Sequence, residues 1–487
     1  MTSKDKYESE LNCEYLVIGS GAGGAVACKY LSDLGKDVIL IEEGDYHEIN
    51  KFAGSISESF LYAWRNSGIT PVLSKTNFAF GEGRCLGGGS YVNGGLIWRT
   101  PEIVLSDWCD LFNDKIFSYG NLKKYFENTE NILEINKEGN NDFENTESLK
   151  IKEIGENKNI KVVKVPKSIN SSEKENELTL GAAGLTKNSI LEKYIISSKK
   201  KGLVILTNCK AEKLIAKKDK IDSVIVKKNG KVKNIIAEKV ILACGATQTP
   251  ILIKKSFGNR YLNSQMSVHL NLRIGVKFNE KIQTKKGIMF TRQLQEYIDD
   301  GILIMPTSFN KNNFFSSLVK MHNKDLLNIE KNIDQYGSFI IQLSSLNKVM
   351  LNNFFGNTIL SYKINNQDII KLKKYFLIFC ESLFDVGADE IFLPLKKNFK
   401  INKNTNLIDF LNKYLTQNNI EMVSVHGMSS AKMGVRNSKN TRFDRDGKSF
   451  EFKNLYCLDS SVLPSSTIES PQGTIMAIAS QIIEKIS

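Results

Sequence analysis

The run Gly19-Ser-Gly21-Ala22-Gly-Gly24 carries glycines at the spacing by which a main chain can wrap a pyrophosphate. The first permits a tight turn, the second lets the backbone approach the phosphates, and the third lets the following helix pack against its strand. The N–H groups that open this helix would then face negative charge. Glu42 lies 23 residues beyond Gly19, at the end of the next apolar run, where a carboxylate can accept hydrogen bonds from ribose hydroxyls. Together these residues predict an adenine-dinucleotide site; the motif alone does not separate nicotinamide from flavin.

Such a loop needs a strand before it, then a helix and a second strand. Tyr15-Leu-Val-Ile18 is a short apolar run, Ala25 to Leu34 has helical spacing, and Val38-Ile-Leu-Ile41 is apolar again. From Thr76 to Thr100 a second glycine-rich stretch is too irregular for a regular element and suits loop backbone wrapped closely around something flat. Residues 107–174 are polar, which predicts surface segments rather than core. Leu203 to Leu206, Ser223 to Val226 and Lys239 to Ala243 are β-rich, with turn signals at Lys218-Asp219 and Asn229-Gly230, and read as a small meander returning to the main sheet. Alternation in Gly337 to Leu343 and Thr358 to Ile364, with a helical pattern from Asp368 to Leu383, predicts an antiparallel sheet covered by helices. A terminal helix is expected from Gln472 to Ile486.

Three longer blocks carry a family likeness. Gly83-Arg-Cys-Leu-Gly-Gly-Gly-Ser-Tyr-Val-Asn93-Gly94 resembles the first signature of the glucose-methanol-choline (GMC) oxidoreductases, FAD-dependent alcohol oxidases and dehydrogenases. Gly245-Ala-Thr-Gln-Thr-Pro250-Ile-Leu-Ile-Lys-Lys-Ser256 resembles the second signature and departs from it at Phe257, where the family usually has glycine. The closing blocks, His426-Gly-Met-Ser-Ser-Ala-Lys-Met-Gly434, Asp444-Arg-Asp-Gly447, Leu455-Tyr-Cys-Leu-Asp459-Ser-Ser-Val-Leu-Pro464 and Pro471-Gln-Gly-Thr-Ile-Met-Ala477, follow in family order.

The resemblance implies an α/β fold: a Rossmann-type FAD-binding domain, discontinuous in sequence, with an α+β substrate domain built on an antiparallel sheet. The FAD-binding domain would take residues 1–105, 176–272 and 423–487; residues 106–175 and 273–422 would form the substrate-binding domain and surface segments. Carried over by position, Gly19, Gly21, Ala22, Gly24, Arg84, Gly88, Ser90, Asn93 and Gly94 would touch the cofactor, with Glu42 on the ribose and Ala211 against adenine. Asp459 and Ser460 would meet the ribityl-pyrophosphate part, and Gln472, Gly473 and Thr474 would open the terminal helix toward the flavin pyrimidine ring, whose reduced anion the helix dipole would stabilise.

Alcohol oxidation by a flavin needs a base on the substrate side to take the hydroxyl proton. His426 stands at the family's catalytic position and is the expected base. The family places a second histidine or an asparagine just before the proline of the last block; here that position is Ser470, which can donate one hydrogen bond, with Glu469 or Gln472 as compensating neighbours, or can instead cap a helix opening at Pro471. Some members hold flavin covalently through a histidine before the signature asparagine, but this chain has Val92 there, so non-covalent FAD is expected. Of the other histidines, His47 and His322 lie in polar stretches and His269, in an apolar run, is expected to be hydrogen-bonded and structural.

With 487 residues, 41% apolar and 24% charged, the chain has the composition of a two-domain globular enzyme. The net charge of +13 is spread over scattered lysines and assigns no nucleic-acid or membrane partner. Eight dispersed cysteines without paired spacing suit reduced, buried thiols and a cytoplasmic location, and they exclude a disulfide reductase, which would also need a second dinucleotide motif. No histidine or carboxylate spacing suits a metal, and no apolar stretch reaches membrane-spanning length. The expected activity is oxidation of a small alcohol, with a sugar or polyol mildly preferred; the electron acceptor and oligomeric state are left open. The competing reading is a flavin-binding scaffold without turnover.

Overall fold

Leu16 to Ile18 and Val38 to Ile41 are buried without interruption, the mark of parallel strands covered on both faces. The structure, a computed structural model, describes residues 11–48, 51–52, 56–137, 144–169, 187–258, 265–282, 290–307, 327, 329–354, 357–397, 399–438 and 441–487. The elements that frame the site begin with β1 (Leu11–Ile18), α1 (Ala22–Asp33), β2 (Val38–Ile41), β3 (Asn77–Phe80), α2 (Glu102–Phe112), α3 (Tyr119–Ile132) and α4 (Thr146–Lys158). There follow β4 (Val204–Leu206), β5 (Cys209–Lys217), β6 (Lys220–Lys228), β7 (Lys231–Leu242), α5 (Gly245–Phe257) and the long strand β8 (Gln265–Phe278). The last are β9 (Arg292–Leu294), β10 (Ile302–Pro306), β11 (Tyr336–Ser344), α6 (Asn366–Asp385), β12 (Glu421–Ser424), β13 (Leu455–Cys457) and α7 (Gln472–Ile486).

The first sheet has the parallel order β4-β2-β1-β7-β13, with positive-φ glycines just past the carboxyl ends of β1 (Gly19) and β7 (Gly245). On its other side β5, β6 and β7 form an antiparallel meander, turned at Lys218 and at Asn229-Gly230, all with positive φ. The expected turns and the last two segments of the meander are therefore present, but Leu203 to Leu206 lies outside it: β4 is a parallel edge strand beside β2, and the first meander strand is instead β5, Cys209–Lys217. α1 and α7 pack side by side on this sheet. Phe257, the departure from the family signature, ends α5 and packs against Phe452, while Gly258, at φ +90°, takes over as the helix stop.

The second sheet is built around β8, which runs antiparallel to β11 from His269↔Ser344 to Lys277↔Tyr336. β11 pairs with β10 and β10 with β9, while β12 joins β8 at Asn271↔Val423 and lies parallel to β3. Ile151, Phe376 and Phe379 from α4 and α6 are buried in the core on the helix-covered side. The period of two leaves Asn271, Arg273, Gln293, Met305, Ile340 and Gln342 on the opposite side, lining a cavity shared with the first sheet.

Two expectations need correction. Residues 107–174 are not merely surface: α2 and α3 bury Trp108, Leu122 and Phe126 in the core of the first sheet. A stripe every three or four residues, diluted by acidic residues in α2 and by lysine and asparagine in α3, hid these helices, although burying a leucine or phenylalanine contributes about 1.5–3 kcal/mol. The division at 272/273 falls inside β8, whose hydrogen bonding continues unbroken through it. The division at 175/176 and His322 lie outside the described residues.

Candidate active site

The cavity begins at the turn between β1 and α1. Gly24 sits so close to Gly19 that a Cβ there would collide with the Gly19 carbonyl, which is how the third glycine lets helix and strand meet. At Gly21, by contrast, a Cβ would touch nothing within 4 Å, because this residue faces the cavity. Glu42, 7% exposed, accepts from Ser20 N at 3.1 Å and Ser20 Oγ at 2.6 Å through Oε2, and from Gly44 N at 2.9 Å through Oε1. A carboxylate has about four acceptor sites, so one remains for a ribose hydroxyl. Ser20 Oγ also accepts from Gly87 N at 2.9 Å, joining the two glycine-rich loops.

Further along, Ser90 Oγ donates to Gly87 O at 2.5 Å, and Asn93 Nδ2 donates to Gln472 Oε1, tying the second loop to the start of α7. Lys187 Nζ reaches Ser90 O (2.8 Å), Tyr91 O (3.3 Å), Asn93 O (3.0 Å) and Asn93 Oδ1 (2.7 Å). It is buried, and burial pulls its ammonium down to about 7. Carbonyls that would otherwise repel one another are thus gathered by one amine. Lys187→Met is expected to leave these carbonyls unpaired and to weaken FAD retention at least about tenfold, measured by titrating FAD into the apoprotein.

At the far end stands an imidazole pair. His426 lines the cavity, and its Nδ1 lies 3.0 Å from Nδ1 of the fully buried His269, with the rings edge to face. His269 Nε2 meets Ser466 Oγ at 2.8 Å, and Ser466 Oγ accepts from Ser344 Oγ at 2.8 Å. Burial lowers His426 to about 4 and His269 well below its ordinary value. Both rings are therefore neutral at physiological pH, and the two facing nitrogens share one proton.

Residues 13–272 and 358–479 match the models for the N- and C-terminal parts of the GMC oxidoreductases. The chain belongs to the GMC oxidoreductase family. It is an FAD-dependent oxidoreductase of the CH–OH class. An uncharacterized GMC-type oxidoreductase of Sinorhizobium fredii is 23% identical, across 98% of this chain and 95% of its own. A long-chain-alcohol oxidase of Arabidopsis thaliana is 24% identical, across 98% of this chain and 68% of its own. The solved structure of pyridoxine 4-oxidase from Mesorbium loti shares the fold with a TM-score of 0.76 at 14% identity, covering 97% of this chain and 99% of that one.

In this GMC oxidoreductase the cavity fits FAD on two counts: backbone lies open at Gly21 and Gly89, and the indole Nε1 of the cavity-lining Trp98 is buried without a partner among the described residues. Gly19, Gly21, Ala22, Glu42, Gly88, Ser90, Asn93, Gly94, Ala211, Asp459, Ser460 and Gln472 line the cavity together with His426 and Ser470. Several expected residues serve elsewhere. Gly24 packs helix on strand, Gly473 abuts the Trp98 carbonyl, and Thr474 pairs with Thr100 Oγ1 at 2.7 Å. Asp459 reaches the cavity, but its carboxylate is taken by Gly245 N, Thr249 Oγ1 and Ser461 N.

Arg84 departs from the expectation in this GMC oxidoreductase. Its side chain is half-exposed, stands 4.0 Å from Glu43 and does not line the cavity. Arg65, ion-paired to Glu43 and Glu82, lines it instead. Ser470 does not cap α7 either: the helix opens at Gln472 with Pro471 in the cap position and no side-chain cap. The imidazole that accompanies His426 comes from β8, as His269, and not from the last block.

Glu469, 1% exposed, accepts from Gln293 Nε2 (2.7 Å) and Gln295 Nε2 (2.9 Å) on Oε1, while Oε2 has no partner among the described residues. Burial raises this carboxyl from 4.5 to about 7. Its stabilising effect is complete below pH 4.5 and is lost as pH rises through about 7. Glu469→Gln should therefore melt roughly 2–4 °C above the parent at alkaline pH and match it at acid pH, as read by differential scanning fluorimetry.

Proposed function

We propose that this GMC oxidoreductase oxidises an alcohol of the sugar or polyol type, with His426 taking the hydroxyl proton. The observation that carries this reading is the neutral imidazole pair, with His426 in the wall of the cavity that the glycine loops also line. FAD, when bound, supplies the acceptor for the hydride that leaves the carbinol carbon. The chain supplies the base and holds the substrate. If His426 Nδ1–H donates to His269 Nδ1, and His269 Nε2–H donates to Ser466 Oγ, then Nε2 of His426 carries a free lone pair. Ser466 is in turn held by Ser344. In that tautomer His426 can accept a proton.

Support for a polyhydroxylated substrate comes from acceptors that no donor among the described residues satisfies. Asn271 Oδ1 and Gln293 Oε1 are buried without partners among the described residues, and both residues line the cavity. Substrate hydroxyls would satisfy them. A neutral Val92 in place of a histidine supports dissociable FAD, and eight free cysteines suit a reducing cytoplasm. Among the described residues no helix is long and apolar enough to cross a membrane.

The test is turnover with a panel of sugars, polyols and simple alcohols, using oxygen and an artificial dye as acceptors, with the carbonyl product identified. A carbonyl formed from a polyol meets the expectation; failure of the whole panel contradicts it. The pH profile is a second check. Because burial holds His426 near 4, the rate of substrate-driven flavin reduction should stay level from pH 8 to about 5 and fall only as pH approaches 4. A fall centred on the ordinary histidine value near 6.5 would contradict the deep, neutral placement of the base.

A further inference from the structure

On the cavity face of β8, His269, Asn271 and Arg273 follow one another at every second residue. Arg273 lines the cavity opposite Ile340, with Met305 beyond it in the sheet. Among the described residues its guanidinium has no carboxylate, carbonyl or side-chain acceptor, and burial alone acts on it, lowering its affinity for protons. Neither glutamine beside it in the cavity can serve as counter-ion, and Glu469 is held by Gln293 and Gln295. A cation that faces a cavity with only neutral side chains around it is costly unless an anion arrives to meet it. Four residues of strand place it about 13 Å along β8 from His269, and its side chain can reach back over part of that distance.

We propose that Arg273 binds the carboxylate of the substrate, so that the enzyme's alcohol is a hydroxy acid whose acid group lies several carbon atoms from the carbon that is oxidised. This rests on the alcohol-oxidising reading of the same cavity and narrows its substrate class. The guanidinium offers two parallel N–H donors to a carboxylate, which no neutral sugar end matches. Asn271 Oδ1, unpaired between Arg273 and His269 along the strand, accepts from a hydroxyl in the middle of such a molecule. The substrate is thereby held at both ends, with its alcohol end toward His426.

The holoenzyme is compared on matched pairs, gluconate against sorbitol and ω-hydroxyhexanoate against hexanol. In at least one pair the acid should lead in kcat/KM by roughly 10- to 100-fold, and Arg273→Met should bring that ratio near one, with Arg273→Lys between. Equal values in both pairs, or a preference that survives in Arg273→Met, overturns the inference. A binding measurement separates it from the oxidation reading: hexanoate, which has no hydroxyl to oxidise, should perturb the visible flavin spectrum of the parent and not of Arg273→Met. Perturbation without any alcohol turnover would keep the anion site and remove the oxidation reading; turnover of neutral alcohols without perturbation would do the reverse. Arg273→Met should also melt at or above the parent, and a marked drop in melting temperature would mark Arg273 as a structural residue and overturn the proposal.

Discussion

His426→Ala should slow the reduction of bound flavin by substrate at least about 100-fold, the usual range for losing a positioned base, while the protein stays yellow. The imidazole lines the cavity but carries none of the loop contacts that join Gly19–Gly24 to Gly87 and Asn93. Its removal therefore takes away the proton acceptor and leaves the cofactor cradle intact. Anaerobic stopped-flow absorbance separates the two effects, since cofactor content is read before mixing and the rate after it. His269→Asn is a companion case, because its loss frees the His426 tautomer without removing the base. A reduction rate unchanged in His426→Ala would remove the imidazole from this role.

Gly21→Val should fold and fail to retain FAD. The φ of Gly21 is −64°, which any L residue adopts, and a Cβ there meets no protein atom within 4 Å. The valine methyls instead occupy the space over which a pyrophosphate would approach the backbone. The purified variant is expected to be colourless, to stay so after incubation with FAD, and to melt close to the parent apoprotein. A yellow variant would show that the first glycine loop does not hold the phosphates.

Much of this architecture is legible in local sequence. The glycine turn, the buried runs on either side of it and the helix Gln472–Ile486 depend on neighbours a few residues apart, and each forms where its pattern places it. What escaped depends on long-range register. His269 meets His426 because Val268 pairs with Gly427 across 159 residues of chain, and no periodicity near either histidine reports that. Lys187 gathers carbonyls more than 90 residues away, and a single lysine in a lysine-rich chain gives no signal. Arg273 was hidden for the opposite reason: its strand reads as apolar core, and only the cavity beside it shows that the charge has somewhere to point. Arg84 illustrates a limit of carrying roles over by position, since its backbone stays in the loop while its side chain turns to Glu43.

The central claim is that a flavin and a neutral imidazole face the same bound alcohol. The most direct measurement is the visible absorbance of the FAD-loaded protein after anaerobic mixing with polyols, sugars and hydroxy acids. The account predicts bleaching of the flavin band by at least one of them, with one carbonyl formed per flavin reduced. A fully loaded protein that stays yellow with all of them would contradict it and leave a flavin-binding protein without turnover.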